Sequence, residues 1–201
     1  TAVLVGHGAL RVAIAGFEDR KITRSELEAM KQLLQECLEQ GAFGMSSGLI
    51  YPPGVYADEN ELKALVSVVK SYGGLYSTHM RNEGRYLEES VKETLKMAEE
   101  TGVNLEISHH KALGKQNFGK LRNTVRMIEN FKEKGYHIDC DTYPYTACST
   151  QFSAVLPPWA FNGGVEELLK RLGDKGSREK LIKDIKEERD SYENYYQHAG
   201  W

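Results

Sequence analysis

The chain has 201 residues, 40% hydrophobic and 27% charged, with 26 Lys plus Arg against 29 Asp plus Glu for a net charge of −3. That balance belongs to a globular chain rather than a disordered one, and a chain of this length buries roughly 70% of its unfolded surface without disulfides. The acidic balance and the lack of any Lys/Arg block exclude a broad nucleic-acid face, no apolar run approaches the ~18 residues of a membrane span, and Thr1-Ala2-Val3-Leu4-Val5 has neither the basic region nor the cleavage pattern of a signal peptide.

In chain order, Ala2–Val5 reads as an opening strand, and four further strands each follow a glycine. Gly41 precedes Ala42–Ser47, Gly73-Gly74 precedes Leu75–His79, Gly102 precedes Val103–His109, and Gly135 precedes Tyr136–Asp141. The steps between these glycines are 32, 29 and 33 residues, the length of one strand–loop–helix unit. The intervening segments carry helical periodicity: Leu27, Met30, Leu34, Cys37 and Leu38; Leu62, Leu65, Val66 and Val69; Leu87, Val91, Leu95 and Ala98; Leu121, Val125, Ile128 and Phe131. Thr23-x-x-Glu26 and Asp58-x-x-Glu61 read as capping boxes, and the four glycines suit the left-handed position that ends a helix. His7, between two glycines, reads as a turn residue in preference to one that approaches the site from its strand. After Tyr145 the order weakens; Pro157-Pro158 marks a turn before helical runs near Val165–Leu172 and Ser177–Arg189.

The division is therefore regular βα repeats over 1–145 and a loop and helical segment over 146–201. Alternating strands and helices mean a parallel sheet with helices packed outside it, either an open doubly wound sheet or part of a (β/α)8 barrel. The chain opens on a strand without Met and closes on Ala199-Gly200-Trp201 with no polar tail, as expected of an excerpt. Five strands are too few for the closed eight-stranded barrel of about 250 residues. The sheet's unpaired edges, and inward strand faces that would expose apolar area, favour self-association. Cys37, Cys140 and Cys148 are odd in number and form no Cys-x-x-Cys pair, so neither a disulfide frame nor a thiolate zinc site is signalled. Cys37, on an apolar helix face, and Cys140, in a strand, are expected to be buried, and a reducing, cytoplasmic compartment fits.

In parallel α/β folds the chemistry collects at the carboxyl ends of the strands. His79 and His109 end two consecutive predicted strands. Neighbouring strands lie roughly 4.8 Å apart, so two imidazoles at matching heights can share a Zn at about 2.0–2.1 Å. Alternation puts His109 and Lys111 on one face if the strand continues, and turns His110 away to a structural or surface role. Lys111 reads either as the partner of an anion beside a metal or as a solvated lysine. Asp141 reads as a ligand, a general base or a hydrogen-bond acceptor, and Arg81 and Glu83 read as a loop-ordering pair.

Four segments extend this reading. Gly48-Leu-Ile-Tyr-Pro-Pro-Gly54, Tyr72–Glu83 with its Ser-Thr-His-Met-Arg-Asn-Glu, Ile107-Ser-His-His-Lys-Ala-Leu-Gly114 and Asp141-Thr-Tyr-Pro-Tyr-Thr146 resemble, in order, segments of the D-aminoacylases. These are N-acyl-D-amino-acid deacylases of the amidohydrolase superfamily. The likeness runs from about His7 through Trp159, with Ala199-Gly200-Trp201 matching further on. It implies that the chain corresponds to strands three to seven of a metal-dependent hydrolase barrel, with His79 and His109 as metal ligands. Lys111 and Tyr143 match positions that hold the substrate carboxylate or acyl carbonyl, and Ser149 falls in a substrate-loop motif. Asn82 stands where the family often has Asp, and His110 where it often has Leu.

The resemblance also implies parts that this chain does not carry. The family takes a His-x-His pair from its first strand, a metal-bridging Cys from its second and a catalytic Asp from its last. No His-x-His occurs here, and no cysteine precedes His7. The expected activity is zinc-dependent hydrolysis of N-acyl-D-amino acids, with the general-base Asp supplied from outside the chain and the chain alone silent. The alternatives are an amidohydrolase for cyclic amides, hydantoinase-like or dihydroorotase-like, and a non-catalytic α/β fragment. The first commonly uses a carboxylated lysine on strand four, where this sequence reads Met45-Ser46-Ser47.

Overall fold

The computed structural model describes residues 1–188. Arg189, the end of the second predicted helical run, and the Ala199-Gly200-Trp201 motif lie outside the described residues. Five strands, β1 (Leu4–Gly6), β2 (Gly44–Gly48), β3 (Leu75–His79), β4 (Asn104–Ile107) and β5 (Ile138–Cys140), form one parallel sheet in the order β1-β2-β3-β4-β5. A doubly wound sheet reverses its strand order at a switch point. This one never does, so crossovers of one hand lay all the helices on one face. The architecture is that of part of a (β/α)8 barrel.

The helices are α1 (His7–Ala15), α2 (Arg24–Glu39), α3 (Glu59–Ser71), α4 (Leu87–Thr101), α5 (Lys120–Glu133), α6 (Val165–Gly173) and α7 (Lys175–Glu188). Thr23 caps α2 as a full box: its Oγ1 accepts from Glu26 N at 3.2 Å and Glu26 Oε2 accepts from Thr23 N at 2.7 Å. At α3 only half of the expected box forms. Asp58 Oδ1 accepts from Glu61 N at 3.0 Å, but the Glu61 side chain turns inward to His7 and Arg11. The periodic apolar residues of α3 and α4 are all buried, whereas on α5 Thr124 takes the buried position beside Ile128 and Val125 is exposed. Gly102 ends α4 at φ 68°, a left-handed turn that suits glycine.

Register sorts the two faces of the sheet. Met45, Tyr76, Leu105 and Ile138 lie side by side and are buried under the helices. The adjoining row reads Ser46, Ser77, Glu106 and Asp139, and by alternation it faces away from them. The expected apolar inward face is therefore polar. Its composition removes one ground for self-association, while β1 and β5 each keep an edge unpaired among the described residues. Two cysteines also depart from expectation, because Cys140 sits on the edge strand and is exposed and Cys37 is only half-buried. A small second core of Ala160, Phe161, Leu168 and Leu181 joins α6 and α7.

His7 is not a turn residue. It begins α1, which follows β1 directly, and is fully buried, with Nε2 2.8 Å from Glu61 Oε1. Arg11, equally buried one turn later, binds the other oxygen of the same carboxylate and the carbonyl of Arg20. One carboxylate on α3 thus neutralises a buried guanidinium on α1. Removing one partner of such a group strands the other charge without solvent. Glu61→Ala is expected to destabilise the chain by about 3–5 kcal/mol, against about 1 kcal/mol for loss of the exposed cap in Thr23→Ala; urea unfolding of both variants checks the order.

Candidate metal centre

β3 and β4 are neighbours, and their carboxyl ends carry the two predicted histidines. His79 is the last residue of β3. β4 stops at Ile107, earlier than expected, and Ser108 N still reaches Thr78 O at 3.1 Å. His109 then turns the chain at φ 42°, a conformation that L residues other than glycine adopt rarely. Its backbone N–H is held by Asp141 Oδ1, and His110 N donates to Asp141 O at 2.7 Å. Of the three readings left open for Asp141, the structure shows it as a backbone acceptor that fixes this turn.

The turn brings the rings together. His79 Nδ1 lies 2.9 Å from His109 Nε2, with the rings edge to face at 4.5 Å between centroids. Glu83, 1% exposed, presents Oε1 3.1 Å from His109 Nδ1 and 2.7 Å from Lys111 Nζ. Its other oxygen, Oε2, lies 3.9 Å from His79 Nε2, and neither of these two buried atoms has a hydrogen-bond partner. Ligand atoms of His79, Glu83 and His109 all fall within 4.8 Å of one another. Two imidazoles in near contact, backed by a buried carboxylate with an unsatisfied oxygen, fit a borderline cation such as Zn²⁺.

Electrostatics favour the states such a site needs. Burial pushes the His79 imidazole down to about 4, against a weaker pull upward from Glu83, so the ring is neutral at neutral pH and keeps one nitrogen lone pair free. Burial alone would raise the Glu83 carboxyl, but the hydrogen bond with His109 and the electrostatic pull of His79 and Lys111 outweigh it and hold the group below the usual carboxylate range. Burial also raises the Tyr143 phenol, which stays protonated and can donate.

Around this cluster lies a cavity of about 610 Å³, lined by Tyr51, His79, Glu83, His109, Lys111, Tyr143 and the loop from Tyr145 to Thr150, including Ser149. His79, His109, Lys111, Tyr143 and Ser149 therefore line one cavity. Lys111 Nζ sits 5.6 Å from the centre of the Tyr143 ring and bonds His109 Nδ1 at 3.0 Å and His109 O at 2.9 Å. Lys111 and His109 meet across the turn rather than along a continued strand. His110 points the other way, buried, with Nε2 2.9 Å from Thr124 Oγ1.

No family model matches the chain. D-aminoacylase of Alcaligenes xylosoxydans xylosoxydans is 38% identical over 149 residues, 74% of this chain and 31% of that protein, and N-acyl-D-glutamate deacylase of the same organism is 38% identical over 149 residues, 74% of this chain and 30% of that protein. A crystal structure of N-acyl-D-glutamate deacylase from Bordetella bronchiseptica, complexed with zinc and a phosphonate inhibitor that mimics the tetrahedral intermediate, superposes with a TM-score of 0.70 at 40% identity. That match covers 72% of this chain and 30% of the other. The chain is a relative of the D-aminoacylases. It spans about a third of the length of the relatives it matches.

Two features of the site were not legible in the sequence. Glu83 does not pair with Arg81, whose guanidinium instead binds Glu93 at 3.1 Å and the carbonyls of Val55 and Ala57 at 3.2 Å. The signal available for Glu83 was its place four residues after His79. Tyr51, in the Gly48–Gly54 motif, tilts over His79 with ring centroids 5.3 Å apart and shares a 2.8 Å hydrogen bond with Thr150 Oγ1.

The low value at His79 gives a signed pH dependence. Its folded pKa of about 4 lies below the unfolded 6.5, so between those values the unfolded chain binds more protons. Metal-free chain is expected to lose stability as the pH falls from about 6.5 to about 4. His79→Asn should show a shallower loss, because only His110, also lowered by burial, keeps the same sign at the site. Denaturant midpoints across that range check the slope.

Proposed function

We propose that this chain forms part of the active site of a zinc-dependent N-acyl-D-amino-acid deacylase, with His79 and His109 as metal ligands. The observation that carries the reading is the 2.9 Å approach of the two imidazoles at the ends of adjacent strands, inside a cavity that also holds Lys111 and Tyr143. Relationship to proteins named D-aminoacylase and N-acyl-D-glutamate deacylase supports the substrate class, and the zinc of the Bordetella protein supports the metal.

When bound, a Zn²⁺ ion supplies Lewis-acid polarisation of an amide carbonyl and a bound water of lowered pKa. The chain's own residues bind and orient the substrate. Lys111 offers a compact ammonium to the carboxylate of an N-acyl amino acid, and Tyr143, kept protonated, donates to the same carboxylate or to the acyl oxygen. Ser149, exposed on the cavity loop, adds a hydroxyl at the mouth. Fixing both ends of the amide against the metal supplies much of the rate gain through positioning. The aspartate that moves the proton comes from outside this chain, so the 201 residues bind zinc and ligand without turnover.

Zinc titration and ligand binding on the chain test this. Wild type is expected to take up Zn, and His79→Asn or His109→Asn to lose it. Lys111→Ala is expected to keep Zn while weakening an N-acetyl-D-amino acid by about 10–100-fold, the cost of one hydrogen bond to a charged group. Loss of Zn in Lys111→Ala with unchanged ligand affinity per bound metal would reverse the assignment.

A further inference from the structure

Resting on the zinc reading above, we infer that Glu83 is a positioning residue that accepts the outer N–H groups of both histidines, Nε2–H of His79 and Nδ1–H of His109, and so fixes which ring nitrogens face the metal. Each imidazole has two nitrogens, and neutral imidazole carries its proton on only one of them. The inner pair, His79 Nδ1 and His109 Nε2, face each other at 2.9 Å. The outer pair face one carboxylate, at 3.9 Å from Oε2 and 3.1 Å from Oε1.

Hydrogen-bond accounting selects one arrangement. Without a cation, one inner nitrogen must donate to the other, because two lone pairs at 2.9 Å repel. Two tautomers then compete at His109. In one, Nδ1–H donates to Glu83; in the other, Nδ1 accepts from Lys111 Nζ at 3.0 Å. With a cation on the inner pair, both inner nitrogens must present lone pairs, and both outer nitrogens must carry protons. Glu83 is the acceptor placed for those protons. Its unpartnered Oε2 lies 3.9 Å from the unpartnered His79 Nε2, too far for a hydrogen bond as the rings stand, so a small closure on metal binding would pair the two orphaned atoms.

The outer side cannot easily hold the metal itself. Lys111 already places an ammonium 2.7 Å from Glu83 Oε1 and 3.0 Å from His109 Nδ1, and a dication there would sit against it. Protonation of His109 at Nδ1 also ends its acceptance from Lys111 and releases one ammonium N–H towards the cavity, where Tyr143 lies. The carboxylate therefore links metal loading to the availability of the substrate-binding lysine. Metal-ligating histidines commonly have such a carboxylate behind them; here a single buried residue serves two.

The test uses the 15N-labelled 201-residue chain with and without Zn. Long-range proton–nitrogen spectra of the loaded wild type should show His79 protonated at Nε2 and His109 at Nδ1. Glu83→Gln keeps the shape and drops the charge, and should weaken Zn by about 10–100-fold in chelator competition, with Glu83→Asp recovering part of the loss. His79 protonated at Nδ1, or His109 at Nε2, in the loaded chain would place the ion on the Glu83 side and overturn the assignment. So would unchanged Zn affinity in a folded Glu83→Gln. If that variant does not fold, the wild-type tautomers decide alone. A wild type that takes up no Zn overturns the zinc reading itself and this inference with it, whereas Zn uptake with the wrong tautomers overturns only the role of Glu83.

Discussion

A carboxylate buried to 1% exposure is the constraint on which the site depends. An ionised group removed from water is costly unless charge and hydrogen bonds compensate it. Glu83 meets that demand with the Lys111 ammonium at 2.7 Å and the His109 ring at 3.1 Å, and those contacts join the end of β3 and its loop to the turn after β4. The loop after β3 supplies Glu83, the turn after β4 supplies His109 and Lys111, and β3 itself supplies His79. Without the carboxylate, Lys111 would keep only its bonds to His109 Nδ1 and His109 O and would lose its one charged partner at the site.

The scaffold behind this cluster is rigid for ordinary reasons. Sequential parallel order puts the ends of β3 and β4 side by side, and register pairs Thr78 with Ile107 just below the two histidines. Further out, the segment after β2 is clamped from both sides. Arg81 binds the carbonyls of Val55 and Ala57, Tyr51 reaches Thr150, and Tyr56 donates to Pro158 O at 2.6 Å. The Tyr51 ring against His79 is therefore set by its contact to the cavity loop as well as by the segment that follows β2. A change in that loop would reach the histidine through one aromatic side chain.

Much of this was legible in the sequence, and the exceptions share a cause. Glycine spacing and helical periodicity locate β2 to β5 and α2 to α5 because both are local properties of the chain. The pair His79 and His109 follows from equal positions in successive units. The misses involve buried polar residues, whose partners are distant in sequence. Glu61 looked like half of a capping box and instead meets His7, 54 residues away. Glu83 looked like the partner of Arg81 and instead meets Lys111, 28 residues away. The inward face of the sheet was expected to be apolar because cores usually are; here Ser46, Ser77 and Glu106 stand on it, and only the strand register reveals the row. His109 and Lys111 come together for a reason other than strand alternation, since the strand ends first and a left-handed residue makes the turn.

The charge balance of the cavity gives the site a direction. With His79 neutral at physiological pH, the carboxylate of Glu83 and the ammonium of Lys111 cancel. An anionic amino-acid derivative would meet no net attraction in such a pocket, and Lys111 would have to leave its carboxylate partner to bind one. A dication on the histidines changes both conditions. It makes the lining net positive, and charge in a recessed, poorly solvated site acts more strongly than on an open surface. It also commits the inner nitrogens, so that Glu83 can spend its hydrogen-bonding capacity on the two outer N–H groups and share Lys111 less exclusively. Substrate affinity and metal occupancy are then coupled through one buried side chain, and an N-acyl amino acid should bind the metal-loaded pocket in preference to the metal-free one.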